Sequence, residues 1–272
     1  VCSSDLDSKS MAFRSITYAR PLLSFVLAAT LLLGAQTEVH AEDSAANDRH
    51  TVLITGANRG LALEFARQYK EAGWQVIGTA RKPGEAEELE ALDVQVVQLD
   101  VADQGSVDRM AAELAGQPVD VLINNAGIFP RVGAIDEIDF DDYRRTLEVN
   151  TVGPVRVTRA LLPNLRLGKL KVIAGLSSNL GSIAENERGN FYGYRESKAA
   201  LNMFTKTLAA ELGPEGFICV VLTPGWVQTD MGGPNATLVP AESIAGMKAV
   251  LDKLTPADNG TFWSYDGSQM PW

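Results

Sequence analysis

Tyr194 and Lys198 stand four residues apart in FYGYRESKAALN, residues 191–202. On a helix that spacing puts both side chains on one face. A phenol near pKa 10 is a poor acid–base group at neutral pH, but a nearby ammonium favours the phenolate. Such a pair could exchange a proton with a carbonyl or an alcohol. Tyr192 has Glu196 four residues on, which cannot lower a phenol's pKa, and it reads as a helix-start aromatic near a pocket wall. The Tyr–Lys spacing is common by chance, so its surroundings must decide. Asn124-Asn125-Ala126-Gly127, Ser177-Ser178 and Pro224-Gly225 close apolar runs, and Asn150 lies in LEVNTVG on a long helical pattern.

The scarce residues exclude other chemistries. His40 and His50 are the only histidines, and both precede the main run of periodic elements. That argues against a zinc site and against a Ser-His-Asp triad. Cys2 and Cys219 are the only cysteines, a poor basis for a disulfide framework or a metal site; Cys219, inside ICVVL, reads as core. No metal is expected. The net charge of −10 leaves no basic surplus for nucleic acid.

Something must hold these groups in place. From Thr51 the chain alternates short apolar runs with longer helical periods. TVLIT (51–55), WQVIGTA (74–80), VQVVQL (94–99), VDVLINN (119–125), KLKVIAGLS (169–177), FICVVLT (217–223) and TFWSYD (261–266) read as strands. Helices are predicted over 61–73, 107–116, 140–162, 192–213 and 241–254. The alternation implies βαβ units: an α/β, doubly wound Rossmann fold with a seven-stranded, mostly parallel sheet and helices on both faces. Residues 51–272 form one domain, and its ligand belongs beyond the carboxyl ends of the strands.

After the first strand comes Thr55-Gly56-Ala57-Asn58-Arg59-Gly60-Leu61-Ala62. A glycine turn into a helix N-terminus exposes backbone N–H groups to a pyrophosphate. The second strand ends in Ala80-Arg81, where an NAD-binding fold usually places an acid for the ribose 2′-OH. Arg81, together with Arg59, favours a 2′-phosphate, hence NADP(H) over NAD(H).

In order and spacing these motifs resemble the short-chain dehydrogenase/reductase family over residues 51–272. The glycine loop departs from T-G-x-x-x-G-x-G only at Ala62. There a methyl group is expected to weaken cofactor affinity at worst. TFW and YDGSQMPW further resemble the C-factor/sniffer-like carbonyl reductase branch. The resemblance implies that Tyr194 is the general acid and that Lys198 lowers its pKa and holds the nicotinamide ribose. It implies that Ser178, rather than Ser177, bonds the substrate oxygen, and that Asn150 organises a proton-relay water. Gly56, Asn58, Arg59, Gly60, Leu61 and Arg81 would bind the cofactor from the first two strands. Asp100 and Val101 would flank the adenine, and Asn125, Ala126 and Gly127 would line the cofactor. Pro224, Gly225, Val227 and Thr229 would close on it, with Tyr194 and Lys198 at the nicotinamide. The reading is an oxidoreductase acting on a small carbonyl or alcohol substrate, as a possible homodimer or homotetramer. A catalytically inactive NADP(H)-binding regulator is the alternative.

The N-terminus reads differently. Residues 1–10, VCSSDLDSKS, have no apolar period and resemble translated adapter sequence. Residues 11–41 read as a signal peptide: Met11, then Arg14 and Arg20, an apolar stretch, and a cleavage site at Val39-His40-Ala41. Residues 42–50 read as a tether. Export to a periplasm or beyond is expected; a membrane anchor, if the segment is uncleaved, or a cytoplasmic location is the alternative.

Overall fold

The computed structural model describes residues 49–272. The expected leader, the expected signal peptide and most of the expected tether lie outside the described residues. Seven strands form one sheet: β1 (Thr51–Ile54), β2 (Gln75–Ala80), β3 (Gln95–Gln98), β4 (Val121–Asn124), β5 (Val172–Leu176), β6 (Ile218–Thr223) and β7 (Thr261–Ser264). Their order is β3-β2-β1-β4-β5-β6-β7, and every neighbouring pair is parallel. The expected sheet is therefore present. The chain runs outward from β1 to β3, then returns to pair β4 with β1, which opens a crevice between the two halves.

The helices are α1 (Gly60–Glu71), α2 (Glu87–Glu90), α3 (Gln104–Glu113), α4 (Phe140–Leu147), α5 (Gly153–Leu167), α6 (Tyr194–Leu212) and α7 (Pro240–Leu251). Strand alternation assigns them to two cores. Val52 and Ile54 pack with Phe65 of α1 and Ile244 of α7. Leu53, pointing the other way, packs with Met110 of α3 and Leu161 of α5. Each such fully buried side chain contributes about 1.5–3 kcal/mol.

Two elements depart from the helical pattern. The single helix expected over 140–162 is interrupted by a π turn, Glu148–Val152, between α4 and α5. Pro154 explains part of this, because it has no N–H to continue the ladder. Gly153 sits where a Cβ would come within 2.9 Å of Val101 Cγ2. The helix expected to start at Tyr192 starts at Tyr194 instead, after Gly193 at φ 77°. No helix among the described residues is long and apolar enough to cross a membrane.

Candidate active site

The carboxyl ends of the strands open on a cavity of about 1020 Å³. One end of it is made by the loop after β1. Gly56 has φ 69°, and a Cβ there would lie 3.3 Å from the Ala126 main chain, so a side chain at this position would be strained. The loop is pinned to β2 by Ala57 N–H donating to Thr79 O at 2.7 Å. Arg59 precedes α1 without a side-chain cap bond, and Asn58, Arg59, Gly60 and Leu61 all line the cavity. Ala62 does not: it is fully buried between helix and sheet, so its methyl packs in the core.

Arg81 and Lys82 line the cavity at the end of β2, and Asp100 and Val101 follow β3. Ala80 is buried, so no acid stands at that strand end. Arg59 and Arg81 both line the cavity, and Arg59 Nη1 pairs with Asp230 Oδ2 at 3.0 Å. Both side chains are exposed, so the pair contributes at most about 1 kcal/mol and is cheaply exchanged.

The loop after β4 is held by a residue that the motifs do not mark as a binding group. The buried Thr55 hydroxyl accepts from Asn125 N at 2.9 Å and Ala126 N at 3.0 Å, while Asn125 Nδ2 donates to Thr55 O. Gly127 brings the main chain close to two expected site residues. A Cβ on it would stand 3.3 Å from Asn150 Oδ1 and 3.6 Å from Lys198 Nζ.

Asn150 is fully buried in the π turn. Its Nδ2 donates to Ile128 O at 2.9 Å and to Ser197 Oγ at 3.0 Å, and its Oδ1 accepts from Ile128 N at 2.8 Å. The side-chain amide is thus engaged in tying the β4 loop to α6. The wide turn aims it, a pattern frequent at functional sites.

Tyr194 and Lys198 share one face of α6, with Lys198 Nζ 5.7 Å from the Tyr194 ring centroid. Lys198 Nζ donates to Leu176 O at 2.8 Å, and burial pushes its pKa down to about 8. Tyr194 is 7% exposed, and burial pushes its pKa up to about 12, opposed by a hydrogen bond with Ser178. The sequence suggests that the lysine lowers this pKa. Here desolvation dominates instead, and Ser178 supplies the opposing pull.

The adjacent serines differ. Ser177 is buried, and its Oγ donates to Asn202 Oδ1 at 2.6 Å, so its hydroxyl is committed to the scaffold. Ser178 is half-buried beside the Tyr194 phenol. Ser178 and Asn150 do not line the cavity themselves, but each touches a residue that does.

After β6, Pro224 and Thr229 line the cavity, joined by Asp230 and Met231. Gly225 and Val227 do not. Gly225 has φ 74°, where a Cβ would fall 2.7 Å from Leu238 Cδ1, and Val227 is buried in a bridge with Leu238. They shape the loop instead of lining the cavity.

A family model described as short chain dehydrogenase matches residues 50–237. The C-signal protein of Myxococcus xanthus is 49% identical over 162 residues, covering 60% of this chain and 98% of its own. Among solved structures, carbonyl reductase Sniffer of D. melanogaster aligns with a TM-score of 0.78 at 35% identity, covering 82% of this chain and all of its own. The NADPH-bound carbonyl reductase from chicken fatty liver aligns with a TM-score of 0.77 at 34% identity, covering 82% and 99%. Sheet order, site geometry and these matches agree: the chain belongs to the short-chain dehydrogenase family, in the company of the Sniffer-like carbonyl reductases.

Proposed function

We propose that this protein is an NADP(H)-dependent carbonyl reductase in which Tyr194 gives the proton. The observation that carries the reading is a buried phenol, bonded to Ser178 and set against Lys198, on a cavity whose other end is a glycine loop. The dinucleotide fits that cavity on structural grounds. Gly56 and Gly60, both at positive φ, bring main chain to the phosphate end, and the cavity extends from there to Tyr194. Arg81 and Lys82, with no acid at Ala80, suit a 2′-phosphate. The chicken reductase, which holds NADPH, supports the same choice.

When bound, NADPH supplies the hydride. The chain supplies the rest. Tyr194, kept protonated by burial, donates O–H to the carbonyl oxygen. Ser178 steadies that oxygen and favours the phenolate left behind. Lys198, anchored on Leu176 O, offers its remaining N–H groups to the ribose and its charge to the phenolate. Asn150 positions the Ile128 main chain and α6. Purified protein should oxidise NADPH with some of a panel of aldehydes and ketones, and NADH more slowly. Tight NADPH binding without turnover of any member would favour the regulator instead.

Export through residues 11–41 belongs to the same proposal. N-terminal sequencing of fractionated natural protein checks it, and intact Met11 in the cytoplasm would refute it.

A further inference from the structure

Beside the phenol stands an aromatic wall that no motif announced, next to the cavity but not among its lining residues. The Phe129 ring lies 4.4 Å from the Tyr194 ring, and Phe191 lies 5.3 Å from Phe129. Phe191 is held at φ 57°, uncommon for a bulky residue, by its N–H donating to Val132 O at 2.8 Å. This wall ends in a cation. The Arg131 guanidinium sits 5.8 Å over the Phe129 ring, and its Nη2 donates to the main-chain oxygen of Met231 at 2.8 Å. Met231 itself lines the cavity.

Arg131 is therefore fixed from two sides, yet among the described residues it has no carboxylate partner. Glu137 accepts from the main-chain N–H groups of Gly133 and Ala134, and Asp230 pairs with Arg59 on exposed surface. With one of its five N–H donors used, the guanidinium presents a fork suited to a carboxylate.

We propose that Arg131 recognises an acidic group on the substrate, so that the preferred carbonyl compound has a flat apolar body and a carboxylate at its far end. This rests on the reductase reading. The carbonyl oxygen meets Tyr194, the body lies along Phe129, and the carboxylate reaches Arg131. In turnover the carbonyl carbon gains hydride from NADPH and the oxygen gains a proton from Tyr194, leaving alcohol and NADP⁺; the carboxylate is unchanged.

The test compares 4-formylbenzoate with its methyl ester, using the full protein and NADPH. The acid should exceed the ester in kcat/KM by about tenfold or more, the scale of a charge-assisted bidentate bond. In Arg131→Gln the acid-to-ester ratio should fall to near one, and Arg131→Lys should restore part of it. Equal rates for acid and ester in the wild type, or an unchanged ratio in the variant, would overturn the proposal. So would a variant whose only defect is weaker NADPH binding, because Arg131 would then serve the cofactor. If no aldehyde is turned over, the reductase reading fails separately, and calorimetry of benzoate with the NADP⁺-loaded protein still decides. Benzoate binding that Arg131→Gln abolishes supports the anion site; equal binding in both proteins refutes it.

Discussion

Around β1 and β2 the cavity is cradled by a glycine loop with Arg81 and Lys82 at its edge; around β5 and α6 it meets a cluster of polar side chains. The nucleotide end depends on Gly56 and Gly60 at positive φ, and on a loop pinned to Thr79. The proposed substrate end depends on Tyr194, Lys198, Ser178 and Asn150, each oriented by bonds to other elements. A backbone cradle binds by shape, and charged side chains at its edge adjust the affinity. A side-chain constellation fixes proton positions and fails when one member moves. Substitutions at the first should therefore alter affinity, and substitutions at the second should alter turnover and pH response.

The largest expected effect lies at the substrate end. Burial lowers Lys198 from 10.5 to about 8, so between those pH values the unfolded chain holds the extra proton and stability rises with pH. Tyr194, raised from 10 to about 12, acts in the opposite sense above pH 10. Between pH 8 and pH 10 the wild type should therefore gain up to about 3 kcal/mol relative to Lys198→Met. Urea midpoints measured across that window check this; parallel curves would break the comparison.

The serine pair sharpens it further. Ser178→Ala should lower kcat about a hundredfold, the scale of one lost oxyanion donor. Ser177→Ala should instead cost about 1–3 kcal/mol of stability, because it strands the buried Asn202 oxygen. Kinetics and denaturation on both variants separate the roles, and interchangeable phenotypes would contradict them.

At the nucleotide end the effects should be smaller and confined to affinity. Arg81→Ala should weaken NADPH about tenfold while sparing NADH, read by titration of both cofactors. Asp230→Asn should strengthen NADPH binding by about twofold to threefold, because Arg59 would no longer exchange an exposed partner for phosphate. Weaker binding in that variant would mean that Asp230 helps hold the cofactor.

The two walls also differ in how much the sequence discloses. The cradle is legible because glycine turns after apolar strands have local causes, and Gly56, Gly60 and Arg81 need only their neighbours to be noticed. Tyr194 and Lys198 are legible from helical spacing alone. The π turn is not, because the period of 140–162 reads as an ordinary helix, and its reason lies in Pro154 and in the distant main chain of Ile128. Thr55, Phe129 and Arg131 escape for a related reason: their partners are close in space and remote along the chain. Asn125 lies 70 residues from Thr55, and Met231 lies 100 residues from Arg131. The expected lowering of the Tyr194 pKa is outweighed by burial, which spacing does not report.

The central claim is that Tyr194 gives the proton while the cradle binds the cofactor independently. Tyr194→Phe tests it directly, with NADPH affinity and carbonyl reduction measured on the same preparation. NADPH binding should stay within about twofold of wild type, and turnover should fall by about a thousandfold or more. Turnover near the wild-type rate would contradict it.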